Sequence, residues 1–226
     1  STAVSQADTS LKSGIIAGGS FGYSRMSDRL SKDASAITPG PVTHLESTRK
    51  TNIRHGIVGT VFGGYRHIMQ SGFVMGTNLG FSLDNNRSRK ISELLDVIVK
   101  SELTRQFQIT PTLLIGQKVS DQWMVFTELG ASISRFKMKS NAADQGYEDI
   151  NTTKKFTKVG FVASLGTEYA FNDKLSFLFK GTYETFGTKK MSLGKLTNDV
   201  GALTSEKNIK VAPRYITFKV GALYKF

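Results

Sequence analysis

The sequence predicts an all-β fold, an eight-stranded antiparallel up-and-down barrel that crosses a membrane. Three observations lead there. Apolar residues recur with period two in eight separate segments, the mark of half-covered strands. The connections alternate between tight turns and long polar stretches, as in a barrel whose turns face one compartment and whose loops face the other. One face of every segment is apolar and free of charge across its central stretch, while the other carries charges and many glycines.

The segments are 12–25, 53–67, 72–84, 103–118, 122–136, 156–171, 174–187 and 213–226, which leaves residues 1–11 as an N-terminal extension and 12–226 as one domain. Because side chains alternate across a strand, each segment sorts its residues onto two faces. In the first, Ile15, Ala17, Phe21 and Tyr23 lie opposite Gly18 and Gly22. The second sets Tyr65 against Gly64 and Arg66, and the third sets Phe73, Met75, Leu79 and Phe81 against Gly76, Asn78 and Gly80. The fourth carries Phe107 on the apolar face and Gly116 on the other; the fifth opposes Val125, Leu129 and Ile133 to Glu128 and Gly130. In the sixth, Phe161, Leu165 and Tyr169 face away from Lys158, Gly160, Gly166 and Glu168. The seventh opposes Leu175, Phe177 and Phe179 to Lys180 and Glu184. The eighth, "YITFKVGALYKF", has apolar residues at every even position from Ile216 to Phe226, opposite Lys219 and Gly221.

Tight turns "HIMQS", "VSDQ" and "FNDK" join the second to third, fourth to fifth and sixth to seventh segments. The hairpin "LGTEYAFNDKLSFLFKGTYETFG" is the clearest copy of a layout used three times. Residues 26–52, 85–102, 137–155 and 188–212 read as long polar loops. Within the second, Ile91, Leu94, Leu95 and Ile98 have helical spacing, whereas Leu95, Val97 and Val99 run in phase with the fourth segment. The favoured reading is an exposed ribbon that prolongs the fourth strand.

Eight strands could also close into a soluble barrel with the apolar face inside. The glycines decide against it: on a water-facing wall they would weaken the sheet without reason, whereas an eight-stranded lumen is just wide enough for small and polar side chains to fill. The absence of mid-strand charge on the apolar face is what lipid demands, since a Lys or Arg there costs roughly 2–4 kcal/mol. Aromatics band that face near both ends, with Tyr65, Phe73, Trp123, Tyr169, Phe171, Tyr224 and Phe226 on the turn side and Tyr23, Phe81, Phe107 and Tyr183 towards the loops. Two such girdles suit the two membrane–water interfaces. The chain holds no cysteine, which removes disulfides, thiolate metal sites and cysteine nucleophiles.

The terminal segment, with Phe218, Val220, Tyr224 and Phe226 in alternation, resembles the assembly signal that the insertion machinery of bacterial outer membranes recognises. Strand count, turn asymmetry and Phe226 together make residues 12–226 similar to the small eight-stranded outer-membrane barrels, the type of the OmpA transmembrane domain, OmpX, Ail and the opacity proteins. The resemblance implies a monomer in a Gram-negative outer membrane, in contact with membrane lipid and lipopolysaccharide. It implies adhesion to a host surface glycan or protein, or envelope stabilisation, and no cofactor.

Two candidate sites follow from the faces. Asn78, Glu128, Lys180, Glu184 and Lys219 project into the lumen, where Glu128 with Lys180 and Lys219 is expected to form a buried ion-pair cluster that fills the interior rather than conducting. The net charge of +12 gathers at the loop-side strand ends. Arg25, Arg54, Arg105, Arg135 with Lys137, Lys158 and Arg214 are expected to ring the outer leaflet and bind lipopolysaccharide phosphates, which guanidinium groups grip bidentately. Residues 188–212 have the largest positive excess among the loops, suited to sulfated glycans or anionic proteins. Nucleic acid is set aside because the aromatics face away from the cations. A lipid A-modifying enzyme would need a His beside Ser and a carboxylate; His44 with Glu46, Ser47 and His55 is the best material and fits no defined motif. A narrow pore is the other alternative. No catalytic residue and no metal site is assigned, three dispersed histidines being a poor ligand set.

Overall fold

The computed structural model describes residues 11–34, 50–94, 97–144, 147–196 and 205–226, with side chains described for 11–27, 53–87, 102–139, 153–188 and 212–226. Its strands are β1 (Gly14–Ala34), β2 (Lys50–Ile68), β3 (Phe73–Asp84), β4 (Arg87–Leu94), β5 (Val97–Lys118), β6 (Trp123–Asp144), β7 (Tyr147–Ala170), β8 (Leu175–Phe186), β9 (Lys189–Leu196) and β10 (Ser205–Lys225). No helix occurs among the described residues.

Eight of the strands form a closed antiparallel barrel in the order β1-β2-β3-β5-β6-β7-β8-β10, and β1 pairs with β10 from Ile16↔Lys225 to Ala34↔Lys207 to shut it. Closure leaves no unpaired edge in the lipid zone. At one end the chain turns tightly. Gly72, at φ 80°, closes the β2–β3 turn by donating its N–H to Met69 O at 2.9 Å; a positive φ of this kind favours glycine. In the β7–β8 turn, Asn172 Oδ1 accepts from the N–H groups of Lys174 and Leu175 at 2.9 and 2.7 Å.

The apolar face is the outer one. Phe21, Val61, Leu79, Leu113, Leu129, Leu165, Phe179, Phe218 and Phe226 are all exposed, and the aromatics pair along the girdles, as with Trp123 on Tyr169 (4.8 Å) and Phe81 on Phe107 (6.1 Å). Inside, glycine is obligatory where strands close on the lumen: a Cβ at Gly22 would lie 2.0 Å from Phe218 O. The interior is packed in tiers. Leu11, Val74, Leu114, Met124, Phe126, Ala170 and Leu178 form an apolar cluster at the turn end. Leu11 is anchored there by its N–H to Asp121 O at 3.0 Å. Met26, Leu103, Phe136, Met138, Phe186 and Tyr215 form a second cluster at the loop end. Polar and charged side chains occupy the height between.

The polar stretches at the loop end prove largely strand-built. β1, β2, β5, β6, β7 and β10 run well past the lipid band, and residues 91–94 and 97–102 lie in β4 and β5, so the ribbon reading holds over the helical one. The ladder there is no longer one closed sheet. β2–β3 pairing stops at Val58↔Asp84 and β7–β8 pairing at Gly160↔Phe186. Beyond these pairs the strands continue as two four-stranded ribbons, β4-β5-β6-β7 and β9-β10-β1-β2. Two seams separate them, one between β2 and β4 and one between β7 and β9.

One register feature changes the face of a functional residue. Between Arg105↔Phe136 and Phe107↔Arg135 the β5–β6 ladder shifts, leaving Gln106 as an extra residue. Such a bulge inverts the inside–outside alternation beyond it. Above Gln106 the odd positions of β5 therefore point inward, and Leu103 and Arg105 are buried.

Candidate functional site

The lumen residues expected from the alternation all project into the interior. Glu128, only 4% exposed, accepts from Asn78 Nδ2 at 2.7 Å and pairs with Lys180 Nζ at 2.7 Å. Asn78 reaches it because Gly64 stands opposite on β2: a Cβ there would lie 2.1 Å from Asn78 Oδ1. Lys219 does not join that pair. It donates to Thr60 Oγ1 at 2.9 Å, and Glu184 serves a different cation. Around these groups the free space is a cavity of about 30 Å3, lined in part by Thr60, Thr112, Glu128, Lys180 and Lys219. On the roughly 10–15 Å3 of such space that each water needs, it has room for about two water molecules.

Two further ionic tiers flank this centre. Towards the loops, Arg105 is 2% exposed. It donates from Nη1 to Glu184 Oε2 at 2.7 Å, pairs with Asp84 through its other nitrogens, and lies 4.0 Å from the centre of the Tyr215 ring. Towards the turns, buried Arg66 pairs with buried Glu168 and donates Nε to Lys12 O at 3.3 Å. Charges removed from water are tolerable only when partnered this closely. With an apolar cluster beyond each end, the described lumen is filled, and Asp84, Glu128, Glu168 and Glu184 each meet a cation within it.

The expected ring of cations at the outer leaflet divides in two. Arg25, Arg135 and Lys137 lie on the outward face, Arg25 and Arg135 exposed and Lys137 half-buried. Arg214, half-buried, shares that face in β10, opposite Ser27. Arg25 stands opposite His55, whose ring stacks on Tyr23 at 5.3 Å. Lys137 stands directly opposite Lys155 of β7, and Arg135 opposite Thr157. The other three residues point inward, which corrects the expectation for them. Arg105 is turned in by the bulge at Gln106 and used in the lumen tier. Lys158, buried on the even face of β7, donates to Gly187 O. Arg54 sits opposite buried Met26, on the inner face at the mouth. Alternation alone assigns Lys158 and Arg54 to that inner face, so their sequence positions carried the signal; the bulge that redirects Arg105 is marked by no Gly or Pro. Arg66 and Asp84 complete the interior network without having been assigned to it from the sequence. Of the segment 188–212 and the histidine cluster, His44, Glu46 and Ser47 lie outside the described residues, as do the side chains of Lys189, Lys190 and Lys210.

At the assembly end, Phe218, Val220, Tyr224 and Phe226 all face outward. Tyr224 and Phe226 pack edge to face at 5.0 Å, and the Phe226 N–H donates to Ile15 O at 3.0 Å.

A closed meander with an apolar outer wall, two aromatic girdles and a polar filled interior defines a transmembrane β-barrel of the bacterial outer membrane. The chain belongs to the outer membrane protein beta-barrel domain family, whose model matches residues 1–226. It is 24% identical over 171 residues to the 31 kDa outer-membrane immunogenic protein of Brucella melitensis, a match covering 76% of this chain and 67% of that one. Among solved structures, the outer membrane protein OprG of Pseudomonas aeruginosa aligns at a TM-score of 0.53 with 16% identity, covering 96% of this chain and 98% of that one. The outer membrane protease OmpT of Escherichia coli aligns at 0.52 with 9% identity, covering 96% and 99%. At these identities the two structures share the fold.

Proposed function

We propose that this barrel is a non-catalytic surface-interaction protein whose basic extracellular half engages anionic partners: lipopolysaccharide phosphates at the membrane rim and polyanionic host surfaces beyond it. The observation that carries the reading is the outward placement of Arg25, Arg135 and Lys137, with Lys137 set directly opposite Lys155. Like charges opposed across strands cost stability, and a bound anion relieves the cost. Guanidinium groups at this height meet the headgroup zone, where phosphate is the complementary group. Lipid contact of this kind also stabilises the envelope around the barrel. The filled lumen and the stacking of His55 on Tyr23 supply no observation that favours a pore or a hydrolytic site.

The rim reading is tested by lipopolysaccharide retention. Replacing Arg25, Arg135, Lys137 and Arg214 with Gln should leave the barrel folded and strip most of the lipopolysaccharide that purifies with it. Retention equal to the unaltered protein would overturn the assignment.

A further inference from the structure

The outer wall of the barrel is not evenly filled. Across β10, β1 and β2 a groove of about 890 Å3 opens to the lipid zone, lined in part by Gly19, Phe21, Gly59, Val61, Leu83 and Val220. A space of that size lies in the range of small-molecule sites. The register lays out its floor. Gly19 stands opposite Ala222 on one side and Val61 on the other, Ala17 stands opposite Gly63, and Phe21 stands opposite Gly59. Ala17, Gly19, Gly59, Gly63 and Ala222 therefore share the outward face and form a shallow diagonal across the three strands.

These glycines differ from those of the lumen. A Cβ at Gly18, Gly76 or Gly130 would lie 2.5 Å or less from a backbone oxygen, so packing requires glycine there. At Gly59 a Cβ would meet nothing within 4 Å, and at Gly19 and Gly63 the nearest atoms would be 3.7 and 3.6 Å away. The fold thus leaves space for a side chain at each of the three. A strand glycine with that space costs about 0.5–1 kcal/mol relative to alanine, and it marks a place where something else comes close to the backbone. Elsewhere the same face carries exposed Leu79, Leu113, Leu129 and Leu165, so bulk lipid does not call for bare backbone.

The groove ends beneath a cation. Four residues along β2 from Gly59 lies His55, stacked on Tyr23 and directly opposite exposed Arg25. At roughly 3.3 Å per residue and a strand tilt of about 40°, Gly59 is about 10 Å deeper than Arg25. A headgroup layer is about 5–8 Å thick, so Gly59 lies within the hydrocarbon of the outer leaflet. A second copy seated on the groove would bring its own Arg25 into the same layer, like charge against like. A phosphorylated lipid brings the opposite charge.

We propose that this groove holds one acyl chain of a lipid A molecule whose phosphate pairs with Arg25. Wall and rim then form a single amphiphile site on β10, β1 and β2. Bare backbone lets the chain sink between Phe21, Val61 and Val220, where it gains close carbon contacts on both flanks as well as beneath. The inference rests on the rim reading of Arg25 and adds which stretch of wall holds the lipid, and by which part of the molecule.

The test uses the full chain in phosphatidylcholine nanodiscs doped with lipid A that carries both phosphates. Native mass spectrometry counts the lipid A released with each barrel. The parent should retain one molecule. Gly59→Leu fills the groove without touching a cation; it should keep the heat-dependent gel shift of a folded barrel and lower retention by about tenfold, the effect of losing on the order of ten close carbon contacts. Arg25→Gln should lower it to a similar degree. Leu129→Ala, on the far wall, should leave it unchanged, and a loss as large as that of Gly59→Leu would overturn the inference by showing that no one stretch of wall is the site. Retention by Gly59→Leu equal to the parent would overturn it as well. If the variant with Arg25, Arg135, Lys137 and Arg214 all Gln still stripped the lipid, the proposed function would stand without the groove. Retention that neither variant alters would defeat both. A parent dimer that Gly59→Leu dissolves would also overturn the inference, because the groove would then seat a second copy.

Discussion

Arg105 is the residue at which the interior account is most exposed to refutation. The bulge at Gln106 turns it inward, where it serves Asp84, Glu184 and the Tyr215 ring together. Replacing it with Leu keeps apolar bulk but strands two buried carboxylates. Each charge-assisted hydrogen bond is worth about 1.5–3 kcal/mol, so losing even one to each carboxylate removes roughly 3–6 kcal/mol, which overlaps the roughly 3–5 kcal/mol that breaking a buried pair costs. A loss of about 4 kcal/mol is therefore expected, a large part of the stability typical of a domain this size. The assay is guanidinium unfolding of the barrel in lipid, followed by the gel shift between folded and heat-unfolded forms. Adding Asp84→Asn and Glu184→Gln to Arg105→Leu should recover most of the loss, because a neutral, packed replacement of a buried ion cluster is often close to neutral in stability. An Arg105→Leu barrel within about 1 kcal/mol of the parent, below the span given for a buried pair, would refute the reasoning. Failure of the carboxylate changes to help would refute it equally.

Two other outcomes follow from the same architecture. Trp123, the one tryptophan of the chain, is exposed on the outer wall against Tyr169. Its fluorescence should be quenched strongly by lipids brominated near the headgroup and weakly by aqueous iodide, and the reverse order would place the apolar wall in water. In planar bilayers the filled lumen should give no steady unitary steps; steps that Lys180→Ala alters would show that the interior opens to ions.

Much of the barrel is written in the sequence as alternation, and the reason is physical. Lipid permits no charge on one face and a narrow lumen permits little bulk on the other, so residues such as Phe179 and Lys180 are sorted at every step. The ends of the strands were harder to read. Beyond the membrane neither face of β1, β2 or β7 meets lipid, the selection that produces alternation lapses, and long polar strands look like loops. The interior site was partly legible: Glu128 and Lys180 stand at the same depth in neighbouring hairpins, but shear decides which cation meets which carboxylate. Lys219 therefore bonds Thr60, and Glu184 goes to Arg105. The direction of Arg105 itself depends on one extra residue in β5 that no Gly or Pro marks. Its neighbours Leu103 and Phe107 continue the alternation on paper while the ladder inverts.

The basic extracellular half is the centre of the functional account, and attachment to an immobilised sulfated glycan tests it most directly. Bacteria displaying the protein would be compared with bacteria displaying a form in which Arg25, Arg135, Lys137 and Arg214 and the lysines of residues 188–212 are all Gln. The account predicts attachment by the parent that weakens steeply as salt shortens the screening length, and loss of most of it in the neutralised form. Attachment that the neutralised form retains at every salt concentration would contradict the account, as would a parent protein that does not attach.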